Sequence, residues 1–287
     1  MKRDRLYSPK VIKSILKEFD FNFSKGLGQN FLIDGNVVRT IRESAQVTKD
    51  DYVLEIGPGF GTLTEELLMH AKKVVAVEID QRLVEVLNYT LKDFDNFVLI
   101  NEDVLKVDFD RLVKEEFQGH SFKILANLPY YITTPIITKL IEMRLPVESM
   151  TFMVQKEVAD RLVAKPGNKQ YGSITVFIDY YSQAKIVCKA PKSVFIPQPK
   201  VDSAVVRLEL KEPPVSVDEK TLFKLVHAGF QQRRKNILNS LTSDASLDLD
   251  KKALSLILDS LSIPHNLRAE DLSLQDFINI SNKVNKK

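Results

Sequence analysis

Tyr52-Val53-Leu54-Glu55-Ile56-Gly57-Pro58-Gly59-Phe60-Gly61 decides how this chain folds. Its first half is short and mostly apolar, as a buried strand must be. Its second half has glycine at every other position, so the backbone can turn sharply and a ligand can approach the main chain. A helical pattern starts at once, with Leu63, Leu67 and Leu68 on one face. A second apolar run, Val74-Val75-Ala76-Val77, delivers Glu78 twenty-one residues after Gly57. That spacing sets a carboxylate where ribose hydroxyls can donate to it. A third run, Phe97-Val98-Leu99-Ile100, leads to Asp103, placed to accept from an adenine amino group. With acids at successive strand ends, a plain tight turn is the poorer reading of the glycines.

A dehydrogenase uses similar geometry, and position 62 separates the two. The dinucleotide pattern G-x-G-x-x-G needs Gly or Ala there, and this chain has Thr62. The run is G-x-G-x-G, with Glu55 two residues ahead of it. Both features resemble the first motif of S-adenosyl-L-methionine-dependent methyltransferases, whose cofactor has no pyrophosphate to cradle.

A fourth run, Lys123-Ile124-Leu125-Ala126, ends in Asn127-Leu128-Pro129-Tyr130, which a nicotinamide enzyme leaves unexplained. A ring-attached amino nitrogen is a poor nucleophile because its lone pair is delocalised into the base. The Asn127 side-chain oxygen and the Leu128 carbonyl are two acceptors that can hold its two N–H groups and draw the lone pair out of conjugation. Pro129 biases Leu128 toward an extended conformation and has no N–H of its own. Tyr130 offers a face on which a flipped-out base stacks, a contact worth about 1–3 kcal/mol. Alone, the tetrapeptide also reads as a turn after a buried strand.

The chain has 287 residues, enough for one α/β domain and a smaller appendage. One cysteine, Cys188, excludes an internal disulfide and suits a reducing cytoplasm, with a small apolar core role as its plain reading. No apolar run approaches the ~20 residues that span a bilayer. The basic N-terminus lacks the apolar core of a signal peptide. The expectation is a cytoplasmic protein with no membrane contact. Net charge is +4 over residues 1–50, −3 over 51–210 and +2 over 211–287. Mildly basic ends suit a polyanion without proving one. His227 and His265 lack ligand-spaced partners, so no metal site is expected.

Ser8-Pro9 reads as a helix start, followed by the apolar stripe Ile12, Ile15, Leu16 and Phe19. Lys10, Lys13 and Lys17 read as a solvated face. Lys25-Gly26-Leu27-Gly28-Gln29-Asn30-Phe31-Leu32 reads as a loop closing over a small polar ligand, before a helix that opens near Asp34. Gly28 to Leu32, Glu55 to Gly61, Asn127 to Tyr130 and Phe195-Ile196-Pro197-Gln198-Pro199-Lys200-Val201-Asp202-Ser203 together resemble the ribosomal RNA adenine dimethyltransferases over nearly the whole chain. The resemblance implies a seven-stranded class I methyltransferase sheet and cofactor contacts at Asn30, Leu32, Gly57, Glu78, Asp103 and Asn127. It implies catalytic positions at Asn127, Leu128, Pro129, Tyr130 and Phe195, with the target adenine between Tyr130 and Phe195. Read without the family, Phe195 is a core residue more readily than a catalytic one.

One branch of that family dimethylates two adjacent adenosines in a hairpin near the 3′ end of 16S rRNA, during small-subunit biogenesis. The other dimethylates one adenosine of 23S rRNA and confers macrolide resistance. Gln231-Gln232-Arg233-Arg234-Lys235-Asn236-Ile237-Leu238-Asn239-Ser240-Leu241 is similar to the first branch, and Leu128 also leans that way. Lys169-Gln170-Tyr171-Gly172 matches it too, although Ser173 departs from the usual residue. The implied partner is 16S rRNA in an immature small subunit, met by a monomer through Arg233, Arg234 and Lys235. A non-catalytic assembly factor is the reading from a different class.

The remaining pattern completes a domain over residues 1–210. Met150 to Val154 predicts a strand, and a helix follows from about Gln155 to Val163. Ser173–Tyr180 and Lys185–Cys188 predict an edge strand pair, and Val205–Glu209 a last strand. Glu212-Pro213-Pro214 breaks the chain. A small helical domain over 211–287, assigned to RNA binding, is expected from Leu222, Leu225, Val226, Phe230, Ile237, Leu238 and Leu241 at helical spacing, with a further helix near Leu254–Leu261. A last helix carries Leu272 and Phe277, and the tail 283–287 is expected to fray.

Overall fold

The computed structural model describes residues 4–24, 26, 28–214 and 217–285. In chain order its strands are β1 (Phe31–Leu32), β2 (Tyr52–Ile56), β3 (Lys73–Glu78), β4 (Phe97–Asn101), β5 (Phe122–Asn127), β6 (Val147–Gln155), β7 (Ser182–Ala190), β8 (Phe195–Ile196) and β9 (Ser203–Leu210). Seven of them form one sheet in the order β4-β3-β2-β5-β6-β9-β7, while β1 and β8 pair separately. β2, β3, β4, β5 and β6 run parallel and β9 runs antiparallel to β6. All five residues of β2 are buried, because β3 lies on one side of it and β5 on the other. The chain winds one way from β2 through β3 to β4 and the other way through β5. That reversal opens a crevice at the carboxyl ends of the strands, where ligands of such sheets bind.

The helices around this sheet are α1 (Pro9–Glu18), α2 (Gly35–Ser44), α3 (Thr62–Leu68), α4 (Gln81–Thr90), α5 (Phe109–Glu116), α6 (Thr133–Glu142) and α7 (Lys156–Leu162). Aspartates start three of them. Asp34, Asp80 and Asp108 accept main-chain N–H groups in the first turns of α2, α4 and α5, each such cap worth about 1 kcal/mol. α4 buries Leu83, Val86, Leu87 and Thr90, a stripe at helical spacing. Each apolar side chain so buried contributes about 1.5–3 kcal/mol.

The chain divides into two compact units. One holds residues 1–159 and 185–210; the other holds 160–184 and 211–287. The second unit contains α8 (Ser173–Tyr181), α9 (Glu219–Gln231), α10 (Ile237–Thr242), α11 (Lys251–Ser260) and α12 (Leu274–Val284). Residues 160–184 therefore fall with the helices, not with the strands of the first 210 residues.

Ser173–Tyr180 corrects the expectation of an edge strand, since the segment is the helix α8. Its β-branched and aromatic residues favour strands when judged singly. Tertiary packing overrides that preference: Phe177, Tyr180 and Tyr181 each place a ring within 6 Å of Phe223 on α9. The Thr175 hydroxyl accepts from the Gly172 N–H and donates to the Arg161 carbonyl, which fixes the helix start. The apolar spacing from Leu222 to Leu241 belongs to two helices and not to one continuous helix. Helix α9 ends at Gln231, and the chain turns before Asn236 caps α10. Leu272 precedes α12, Lys283 lies in its last turn, and Lys286 and Lys287 are outside the described residues. No described helix is long and apolar enough to cross a membrane.

Candidate active site

Gly57, Gly59 and Gly61 all have φ between +60° and +83°, which L side chains adopt only with strain. The Gly57 N–H donates to the Val77 carbonyl at 2.9 Å, fastening the turn to the end of β3. At Gly59 a Cβ would sit 2.7 Å from the Phe31 ring, so glycine is also required by close approach. At Gly57 a Cβ would meet nothing nearer than the Asn127 carbonyl, 3.9 Å away. The main chain there borders open space.

That space is a cavity at the carboxyl ends of β2, β3 and β5. Asn30, Leu32, Gly57, Glu78, Asp103, Asn127, Leu128, Pro129 and Tyr130 all line it. Sequence reasoning grouped these positions, and the fold brings them to one wall. Lys25 and Leu27 of the N-terminal loop lie outside the described residues, while Gly28 and Gln29 line the cavity.

Two carboxylates face this space from a low-dielectric wall. Glu55 is buried, and burial lifts its pKa to about 8, with Thr64 opposing the shift and the Glu78 charge adding to it. Its Oε2 has no hydrogen-bond partner among the described residues. Glu78 is lifted to about 7, again chiefly by burial, although the Asp80 and Gly59 N–H groups donate to it. An unpartnered buried carboxylate is costly, so a cationic ligand with N–H donors fits beside Glu55. Asp103 spends one oxygen on the Leu105 N–H.

Asn127 ends β5, and its Nδ2 donates to the Asn30 carbonyl at 2.9 Å. This bond engages the amide's donor, and the Asn127 oxygen has no hydrogen-bond partner among the described residues. The Leu128 N–H donates to the Met153 carbonyl. The Pro129 carbonyl accepts from the Ile132 N–H and the Thr133 hydroxyl, anchoring the turn to the start of α6. Tyr130 is partly buried, its hydroxyl 2.8 Å from the Ser203 Oγ, and desolvation raises its pKa against that bond.

Phe195, expected to flank the target adenine, packs at the paired strands β1 and β8. Its ring is 2 % exposed, belongs to the apolar core and does not line the cavity. Pairing of β8 with β1 sets it opposite Leu32 and draws it into that core. Arg233, Arg234 and Lys235 are exposed on the turn between α9 and α10 in the second unit. Tyr131, 60 % exposed on the cavity rim, was not singled out by sequence reasoning, although it adjoins Tyr130. Glu55 was read only as a motif position. Among the described residues no cluster of His, Cys, Asp and Glu can hold a metal ion.

A parallel sheet reversed at β2, a glycine turn and acid-ended strands define a class I methyltransferase that uses S-adenosyl-L-methionine. More narrowly, the chain belongs to the ribosomal RNA adenine dimethylase family, whose model matches residues 20–286. It is 48% identical over 286 residues to the ribosomal RNA small subunit methyltransferase A of Alkaliphilus oremlandii, covering 99% of each chain. It is 49% identical over 281 residues to the protein of that name from Geobacillus thermodenitrificans, covering 96% of each. A solved dimethyladenosine transferase from Plasmodium falciparum superposes with TM-score 0.76 at 29% identity, covering 89% of this chain and 98% of that one. The 23S rRNA methyltransferase ErmE superposes with TM-score 0.71 at 26% identity, covering 89% and 100%. The chain is thus an S-adenosylmethionine-dependent rRNA adenine dimethyltransferase.

Proposed function

We propose that this enzyme dimethylates the exocyclic amino nitrogens of two adjacent adenosines in a hairpin near the 3′ end of 16S rRNA. It acts as a cytoplasmic monomer on immature small subunits. The small-subunit assignment is supported by the 48–49% identity to enzymes of that name, against 26% to ErmE, a 23S enzyme. The observation that supports the chemistry is the Asn127–Asn30 bond, which engages the amide's donor and leaves its oxygen unbonded in a residue that lines the same cavity as Glu78 and Asp103.

In this reading Asn127 Oδ1 and the Leu128 carbonyl accept the two N–H groups of the target amine. Tyr130 stacks on the flipped base. Glu78 accepts from ribose hydroxyls, the free oxygen of Asp103 from the cofactor's adenine amino group, and Glu55 faces the cationic methionine end. Gly57 and the main chain near Asn30 and Leu32 complete that side. The bound sulfonium supplies an electrophilic methyl group. The residues contribute by positioning and by acceptors aimed at the developing ammonium. No strong base is needed, because the methylated ammonium loses its proton readily to water. Arg233, Arg234 and Lys235 contact RNA phosphates.

The test is incubation with labelled cofactor and unmethylated 30S particles, free 16S RNA or 23S RNA, followed by mapping of dimethyladenosine. Label at two neighbouring adenosines of 16S RNA supports the proposal. Label in 23S RNA alone refutes it.

A further inference from the structure

Asp80 follows the ribose-side acid by two residues and is 7 % exposed, yet it does not line the cavity. Its Oδ2 accepts from Gln29 Nε2 at 2.7 Å and from Arg82 Nη2 at 2.6 Å. Its Oδ1 accepts from Arg82 Nε at 2.9 Å and from the Arg82 N–H, which it caps. Its own main-chain N–H donates to Glu78 Oε1 at 2.9 Å. Burial raises its pKa and the bonds from Arg82 and Gln29 outweigh that effect, so the carboxyl is held ionised.

On the other side, Gln29 accepts the Ser24 N–H at 2.8 Å. Arg82 Nη1 donates to the Asn22 carbonyl at 2.9 Å, with its guanidinium 4.8 Å from the Phe21 ring centroid. The residue after Gln29 is Asn30, whose carbonyl takes the Asn127 amide. An unbroken path therefore runs from Glu78 through Asp80 and Gln29 to Asn30 and Asn127. Every non-covalent link on it is a hydrogen bond of 2.9 Å or less.

We infer that Asp80 and Gln29 are positioning residues, a clasp that aligns the Asn127 amide oxygen with the occupied cofactor cavity. The inference rests on the roles proposed above for Glu78 and Asn127. Releasing the clasp lets the main chain at Asn30 move, and Asn127 loses the partner that orients it. Coupling through such a contiguous hydrogen-bonded path appears as non-additivity between its members.

The experiment compares Gln29→Ala, Asp80→Asn and the double variant with the wild-type chain. In Asp80→Asn an amide places donors where the Gln29 and Arg82 donors already point. Each single variant is expected to lower kcat at saturating cofactor and RNA by about tenfold, and the double variant to be no worse than the poorer single. Without cofactor, the Ser24 N–H should exchange faster in both variants, while β2 stays as protected as in the wild type. Losses that multiply, or exchange at the Ser24 N–H that matches the wild type, overturn the clasp. If the RNA assignment is wrong, the wild-type chain also fails on that RNA, and the exchange measurement still reads the clasp by itself.

Discussion

At the scale of single residues, the acids and glycines around the cavity carry the most decisive chemistry. Glu55 and Glu78 have pKa values near 8 and 7, each raised by burial from an ordinary value near 4.5. An acid raised in the folded state stabilises it fully below the unfolded pKa and loses that contribution as pH rises through the folded pKa. Stability of the ligand-free protein should therefore fall between about pH 4.5 and 8 on this account, and Glu55→Gln should flatten the fall in thermal melts. A cationic cofactor favours the ionised acids, so its binding near pH 7 should release protons. Calorimetry in two buffers of different ionisation enthalpy measures this, and identical heats would count against the assignment. Gly59→Ala meets both positive φ and the Phe31 ring, and should cost about 1–3 kcal/mol, seen as a lower Tm. Motif spacing made Gly57, Glu78 and Asn127 legible in the sequence. The packing of Phe195 was not legible, because it depends on a strand pairing between positions 31–32 and 195–196, which no local pattern encodes.

At the scale of elements, β2, β3 and β5 were readable because each is a short apolar run buried on both faces, and the edge strand β4 because its run is apolar although only partly buried. α8 was not, because Ser173–Tyr181 is apolar nearly throughout and its helical state comes from rings on α9. The break after Gln231 was hidden for the opposite reason: apolar spacing resumes at Ile237 in helical phase although the chain turns between. Caps, by contrast, act locally and are both legible and testable. Asp34 accepts from the Asn36 and Val37 N–H groups at the start of α2, directly after the cavity residue Leu32. Asp34→Ala should cost about 1 kcal/mol. A Tm lowered by about 2–4 °C in calorimetry is the expected reading.

At the scale of the whole molecule, the proposed function assigns cofactor binding to a cavity in one unit and RNA binding to a basic turn in the other. Replacing Arg233, Arg234 and Lys235 together by Ala should weaken RNA binding and reduce the slope of log K against log salt by about 2–3. Cofactor affinity should stay the same in that variant, and a salt slope equal to the wild type would remove the turn from the RNA interface. The sequence made the family and the cavity plain, but not the assignment of residues 160–184 to the helical unit, which depends on long-range packing. In the proposed function the Asn127 amide oxygen holds the target amine beside the methyl donor. Single-turnover methyl transfer to unmethylated rRNA by Asn127→Ala, with cofactor affinity measured alongside, tests it most directly. The rate is expected to fall by roughly 10²-fold or more, with cofactor affinity largely kept. Transfer at the wild-type rate would contradict it.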